Sequence, residues 1–422
     1  MRAAGCRALF LTVNPTKFRV AFFALRAMMD NVLLFGGRRH LFMKKIIALF
    51  RKELMLSVSL LAAIAALIIT PPTKELLGRI DWKTLATLFM MLTVLEGFKK
   101  ENIFQPIIRL GGKIGSMRGL SLFLVFGVFF TSMFVTNDVS LLIFVPLTIL
   151  LFRYGDKEKY ILPVISMENI AAVRGSMLMP FGSPQNLFLF QQHEMTAGHF
   201  ILHMMPLSAL SGLLLVGYVC LLYRKEPHMR IQVREEAAGE EWTKDGRARR
   251  ILYLTLFVIL LTTIVTRTTL WPYVTLLVTV AVLIFDRRVL LRTDYVLLLT
   301  FLCFFVFSSS ITANETISAF LTRIVAGREY WVSILLSQVI SNVPASIVLD
   351  PFSTNLAGLI YGLDSAGLCT LIGSLASVIN YRIYVREYPG KGGKFIKVFT
   401  IVSLLFFAVV VIPGWLLSRW PM

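Results

Sequence analysis

The chain has 422 residues, 56% of them hydrophobic, and a mean hydropathy of +0.74. Soluble domains hold about 45–50% apolar residues, so this composition excludes an ordinary soluble globular protein and points to a polytopic membrane protein. The formal net charge of +19 does not make the chain a nucleic-acid binder. That function needs a basic face on a folded soluble domain, and the apolar segments leave no room for one.

Residues 1–43 mix Arg2, Arg7, Lys17, Arg19, Arg26 and Asp30 with apolar residues, too many charges for a span. They read as a basic surface segment or as an extension upstream of a start at Met43, whose Lys44-Lys45 flank precedes the first apolar run. Stretches suited to crossing a bilayer follow at 54–71, 83–98, 159–181, 202–223, 251–266, 270–285, 294–312 and 395–417. Period-2 alternation is absent from them, so helices are expected and a membrane barrel is not.

Basic residues gather in alternate connections: around Arg38 to Lys52, Lys99 to Arg118, Arg287 to Arg292, and Arg382 to Lys397. The 224–250 loop carries eight Lys/Arg against six acids. The positive-inside rule places these connections, and with them the N-terminus, in the cytoplasm. The loops at 72–78, 194–201 and 266–272 carry little positive charge and fall on the other side.

Two halves of the chain repeat the same polar interruptions in the same order. Thr136-Asn137-Asp138 and then Gly182-Ser183-Pro184-Gln185-Asn186 stand in the first half. Ser341-Asn342-Val343 and then Gly373-Ser374 stand in the second. Arg79-Ile80-Asp81-Trp82 and Arg292-Thr293-Asp294-Tyr295 precede them as matching anchors, polar at the headgroups with an aromatic beside. Gly, Pro and small polar residues repeated at corresponding places in apolar segments mark broken helices around a midplane site. Close helix packing explains one such motif as well as binding does, but two matched pairs in register favour binding.

The expected fold is an all-α membrane protein of two inverted repeats, each with a re-entrant hairpin and a broken helix, with roughly 10–11 transmembrane elements in all. The first repeat covers 44–223, with its hairpin at 119–152 and broken helix at 159–192. After the cytoplasmic loop 224–250, a connector helix and the second repeat fill 251–422, with a hairpin at 330–352 and a broken helix at 361–381. The arms 119–135 and 139–152 also suit two short full spans; the basic 152–158 connection favours the hairpin.

At a break in mid-membrane, one half-helix end exposes carbonyls that suit Na⁺ and the other exposes N–H groups that suit an anion. The candidate substrate residues are Thr136, Asn137, Arg174, Ser183, Pro184, Gln185, Asn186, Ser341, Asn342 and Ser374. The candidate Na⁺ ligands are Asn137, Asp138, Gly182, Ser183, Asn342, Gly373 and Ser374, an oxygen-only set suited to a hard cation. Asp138, Glu168, Arg174 and Asp350 interrupt apolar stretches, where each charge costs about 2.5–3.5 kcal/mol at a helix centre. Asp138 suits a cation or a coupling proton. Arg174 suits an anionic substrate or a balancing pair with Glu168 or with an Asp, and both readings stand. Asp350, before Pro351, reads as a helix end. His199 and His203 are spaced four apart but lack a third ligand, so they read as surface histidines. Cys6, Cys220, Cys303 and Cys369 show no paired spacing and read as free thiols. No H-E-x-x-H or nucleophile motif marks an intramembrane enzyme, and no cofactor is expected beyond a coupling Na⁺ or H⁺.

The segments Met133–Ser140, Gly175–Leu187, Val339–Ala345 and Leu371–Ser377 resemble the ion transporter superfamily of arsenite permeases, NhaD-type antiporters, and citrate and divalent-anion symporters. The resemblance runs over about residues 50–417 in order of elements. It implies cation sites at Asn137 with Gly182-Ser183 and at Asn342 with Gly373-Ser374, flanking a substrate carried by an elevator-like movement. It therefore implies a citrate-transporter-like permease moving a small di- or tricarboxylate, in a bacterial cytoplasmic membrane and as a homodimer. Arsenite or oxyanion transport and Na⁺/H⁺ antiport are the alternatives. Where the symporters carry Ser-Asn-Thr, this chain has Thr-Asn-Asp and Ser-Asn-Val, which leaves proton coupling open and weakens the second cation site.

Overall fold

In the computed structural model the described residues are 54–422 without 71–77, 79, 113, 227, 232–245 and 421. The basic segment 1–43, the N-terminus assigned to the cytoplasm, Arg79 and most of the 224–250 loop lie outside them. The described residues are almost wholly helical, with one isolated bridge between Ser116 and Arg230. They form two inverted repeats, as the pattern predicts.

The chain divides into two compact units. One contains α1 (Leu54–Ile69) and, from its second residue on, α11 (Tyr295–Thr312). Ser59 on α1 meets the Cys303 thiol on α11 in a side-chain hydrogen bond.

The other unit carries the repeated motifs. Its first-repeat elements are α2 (Trp82–Lys100), α3 (Gln105–Gly112), α4 (Met117–Val135), α5 (Asn137–Tyr154), α6 (Ile161–Ser176), α7 (Pro184–Gln192) and α8 (Ala197–Leu222). The connector α9 (Arg247–Val265) and α10 (Trp271–Arg292) follow, with a kink in α10 at Asp286. After α11, the second repeat continues through α12 (Glu315–Val325), α13 (Glu329–Ile340), α14 (Asn342–Leu349), α15 (Leu356–Ala366), α16 (Leu375–Glu387) and α17 (Gly392–Leu417).

Each boundary has a local cause. Asp81 caps α2 by accepting from Thr84 N at 3.0 Å, and Ser116 caps α4 by accepting from Gly119 N at 3.1 Å. Asn355 caps α15 by accepting from Gly358 N at 2.8 Å. That cap corrects the predicted second broken helix of 361–381: its first half starts at Leu356 and its second half runs on to Glu387. The connector likewise begins at Arg247, inside the predicted loop.

Both hairpins close at their bases. Ser121 at the entrance of α4 shares a 2.9 Å hydrogen bond with Tyr223, and the ring of Tyr160, beyond α5, packs at a tilt on the same ring with centroids 4.9 Å apart. Entrance and exit of the first hairpin therefore lie on one side. In the second hairpin, Glu329 at the entrance accepts from Thr354 N at 3.0 Å and Thr354 Oγ1 at 2.9 Å at the exit.

The bases differ in charge as inversion requires. Arg118, Arg153, Lys157 and Lys159 stand at the first, with Glu158 and Glu387 on Arg153, whereas Arg328, Glu329 and the His193–Asp350 pair, at 2.7 Å, stand at the second, which is thus the less basic of the two. Asp350 thus ends a helix at the surface, as read from its neighbour Pro351.

The packing is reciprocal. Hairpin arm α4 lies on α6, and α13 lies on α15. The second hairpin arms cross over: α5 packs on α16, and α14 packs on α7. Each half-helix beyond a break is thereby held by the other repeat's hairpin.

Six described helices, α4, α5, α8, α9, α11 and α17, are long and apolar enough to cross a membrane. Leu213 on α8 is 72% exposed and Ile284 on α10 is 71% exposed, which suits an outer face solvated by lipid. By contrast α6 is buried along nearly its whole length.

At the C-terminal end of α2, Lys100 Nζ lies 2.5 Å from Asp286 Oδ2 at the kink of α10. Arg249 Nε meets Glu101 Oε1 at 3.0 Å beside it. Lys100→Met leaves the buried Asp286 with Tyr253 OH alone, at 3.5 Å. The expected loss is about 1–2 kcal/mol, read as a lower melting temperature of the detergent-purified protein and restored by adding Asp286→Asn.

Candidate functional site

The tips and breaks repeat at the level of backbone angles. Thr136, between α4 and α5, has φ 72 and ψ 155; Ser341, between α13 and α14, has φ 70 and ψ 159. Neither is glycine, and this region is one that side chains avoid, so each tip stores about 1–3 kcal/mol of strain. The same strained conformation recurs at matching places in the two repeats.

The breaks match as well. Ser183, before α7, has φ −144 and ψ 152; Ser374, before α16, has φ −148 and ψ 140. Ahead of them the chain folds back onto the last carbonyl of the preceding half-helix. A Cβ on Gly182 would stand 2.2 Å from Ser176 O, and one on Gly373 would stand 2.3 Å from Ala366 O. Only glycine fits such an approach.

Thr136, Asn137, Ser183, Gln185, Asn186, Ser341, Asn342 and Ser374 are all buried, as is Arg174 at 0% exposure. The structure joins some of them directly. Asn342 N donates to Gly373 O at 3.2 Å, linking the second tip to the second break. In the first repeat Asn137 Oδ1 turns back to accept from Asp138 N at 2.9 Å, and Ser183 Oγ accepts from Asn186 N at 3.4 Å. Ser140 donates to Thr136 O at 3.0 Å, fixing the first tip.

The charged neighbours of Asp138 are Lys99, at the end of α2, and Asp294, before α11. Glu168 accepts from Thr148 Oγ1 of the hairpin arm, and its other oxygen and the Nε and Nη2 of Arg174 have no hydrogen-bond partner among the described residues. The pairing of Arg174 with Glu168 is thereby dropped. The α6 and α16 helices are laced instead by Asn169 Nδ2 on Ser377 Oγ at 3.0 Å and Asn380 Nδ2 on Ile165 O at 2.7 Å.

Arg174 Nη1 reaches only Met177 Sδ at 3.5 Å, and Nε and Nη2 have no partner among the described residues. Asp364, Tyr330, Tyr361 and Cys369 lie within its electrostatic reach. A buried guanidinium with free donors is suited to receive a carboxylate.

Two residues of this region carried no sequence signal of their own. Asp364 accepts from Gln185 Nε2 and from Asn186 Nδ2, both at 3.1 Å. Gln338, on the second hairpin, donates to Ala366 O at 3.2 Å and accepts from Thr370 Oγ1 at 2.7 Å. Aligning the two half-helices by their breaks would have shown the first: Arg174 and Asp364 each stand two residues before the end, at Ser176 and Ala366.

His203 Nε2 meets Trp420 O at 3.2 Å, and no cluster of three or more His, Cys, Asp or Glu able to hold a metal occurs among the described residues. Cys220, Cys303 and Cys369 are free thiols.

The model of a citrate transporter family matches residues 45–360. The chain is 31% identical to the inner membrane protein YbiR of Escherichia coli over 313 residues, 72% of this chain and 80% of that protein. It is 29% identical to the uncharacterized transporter MJ0456 of Methanocaldococcus jannaschii over 339 residues, 80% of this chain and 90% of that protein. The solved YdaH transporter of Alcanivorax borkumensis aligns over 82% of this chain and 88% of that chain, at 15% identity and a TM-score of 0.49. With its apolar helices and a family match over well more than half its length, this integral membrane protein belongs to the citrate transporter family.

Proposed function

We propose that the chain is a secondary active transporter that moves a small anion, a di- or tricarboxylate, coupled to Na⁺ or H⁺ by an elevator-type movement. One observation carries the reading: each repeat presents a strained tip and a serine-led break in the same backbone conformation, and in the second repeat Asn342 N joins the tip to the break. Such paired sites supply carbonyl and hydroxyl oxygens to a cation and N–H groups to an anion. Arg174, with its free donors, separates this reading from a cation antiporter, which has no use for a buried positive group.

The two cation sites are unequal in this reading. In the second break Gln338 already donates to the Ala366 carbonyl that would face a cation. Its counterpart three residues before the first tip is Met133, which offers no such donor. The first site, at Asn137 with Gly182 and Ser183, is therefore assigned to the coupling cation and the second to closure. The bacterial cytoplasmic membrane is the proposed location, in keeping with the inner-membrane relative.

Uptake of labelled citrate, succinate, malate and arsenite into proteoliposomes, under Na⁺ or H⁺ gradients, tests the reading. Saturable, gradient-driven uptake of a carboxylate is expected. Ohmic conductance without saturation overturns it, and so does Na⁺-driven proton movement without any anion. Asn137→Ala and Asn342→Ala should each lower uptake about tenfold or more while leaving the yield of folded protein unchanged. Wild-type uptake in both variants removes the paired-site assignment.

A further inference from the structure

Asp364 is 1% exposed, and it occupies in α15 the place that Arg174 occupies in α6. Both of its oxygens are held by side-chain amides from the opposite repeat, Gln185 and Asn186. Those amides belong to the first turn of α7, where the helix dipole favours negative charge. The end of α7 that could receive a substrate anion is thus already served by a carboxylate of the protein itself. Arg174 lies within electrostatic reach of Asp364 but does not touch it, so its Nε and Nη2 donors stay open.

An anion that takes those donors replaces a balanced buried pair with two negative groups around one positive group. In a dry interior that excess charge is strongly unfavourable unless a cation is taken up with the anion. We propose that Asp364 is a tethered counter-anion of the substrate site: it balances Arg174 when the site is empty, and it admits an anion to Arg174 only together with a neutralising cation. The inference rests on the anion-transport reading and adds to it a residue that makes coupling obligatory.

The titratable groups around Asp364 are few. Arg174 faces it from α6 and Tyr361 lies on its own helix, while Tyr330 of α13 and Cys369 of the break lie beside Arg174, and His203 of α8 packs against the Tyr361 ring. The α7 and α14 helices bring no titratable side chain. The α17 helix approaches this end of α15 near Val411 and Gly414, about 20 Å along its axis from Lys394 and Lys397. Glu329 is spent at the far end of α15, on Thr354.

Calorimetric binding of the carboxylate that the wild type transports, across pH and with Na⁺ exchanged for a bulky organic cation, tests the proposal. Wild-type Kd is expected to change about tenfold or more with pH or with Na⁺. Asp364→Asn should bind at least as tightly, lose that dependence, and equilibrate the anion across proteoliposomes without cation-driven accumulation. Asp364→Glu, which keeps the carboxylate, should retain the dependence and covers the case of an Asn variant that fails to fold. Full wild-type cation dependence in Asp364→Asn overturns the proposal, as does a cation-independent Asp364→Glu. The wild-type arm separates the two readings. No carboxylate bound or transported defeats the anion reading itself, whereas binding indifferent to pH and Na⁺ defeats only the role of Asp364.

Discussion

Arg174→Met is expected to abolish carboxylate uptake while leaving the melting temperature unchanged or higher. A guanidinium in a structural role would behave in the opposite way, lowering stability and activity together. Here Arg174 is fully buried, yet it makes no ion pair and its one side-chain contact is a weak donation to Met177 Sδ at 3.5 Å. The protein carries the desolvation of a buried charge without the compensation a structural pair would supply. Methionine fills similar space, removes that penalty, and leaves the backbone bond from Ser208 Oγ to Arg174 O, 3.1 Å, untouched. Asp364 loses the nearby charge of Arg174 but keeps both hydrogen bonds, from Gln185 and Asn186, which offset that loss. The substrate, by contrast, loses two charge-assisted donors, about 3 kcal/mol or roughly 100-fold in affinity. Arg174→Lys keeps the charge but not the fork and should retain partial activity. Calorimetric binding and melting curves on one preparation of each variant check both halves of the expectation. A fall in melting temperature with retained binding would move Arg174 to a structural role.

What the sequence disclosed and what it hid divide along a physical line. Breaks and tips were legible because glycine, proline, asparagine and serine inside apolar runs have few purposes in a membrane, and a repeat in register leaves fewer. Thr136 and Ser341 were found this way, and the structure gives them one conformation. Asp364 was hidden because its counterpart by position is Arg174, of opposite charge, so the halves look unlike at that place. Gln338 was hidden for the same reason, with Met133 opposite it. The short helices α3 and α12 precede their hairpins in both repeats, but 8 and 11 residues are too few to register as spans. Arg174 was legible as an unusual charge, while its freedom from Glu168 was not, because spacing along one helix says nothing about Thr148 arriving from another.

Gly182→Ala and Gly373→Ala should each eliminate transport and lower the melting temperature. Both breaks are built by folding the chain back onto the final carbonyl of a half-helix, and the distances leave no room. At Gly182 the new Cβ would meet Ser176 O at 2.2 Å and Ser176 C at 2.9 Å; at Gly373 it would meet Ala366 O at 2.3 Å and Ala366 C at 3.1 Å. These obstacles are backbone atoms at the ends of α6 and α15, which cannot turn aside as a side chain can. Relief requires shifting the break itself, at roughly 3 kcal/mol, and that shift carries Ser183 or Ser374 away from its tip. Transport is therefore lost through geometry before it is lost through unfolding. Gly198→Ala and Gly393→Ala are the matched controls, since a Cβ there meets nothing within 4 Å. Both controls lie in helices, α8 and α17, where alanine is favoured over glycine by about 0.5–1 kcal/mol, so uptake should persist with equal or higher stability. Melting curves and proteoliposome uptake of the four variants decide the matter. A break variant with wild-type values in both would mean that the loop does not seat on the half-helix carbonyl, and the paired sites would lose the feature that shapes them.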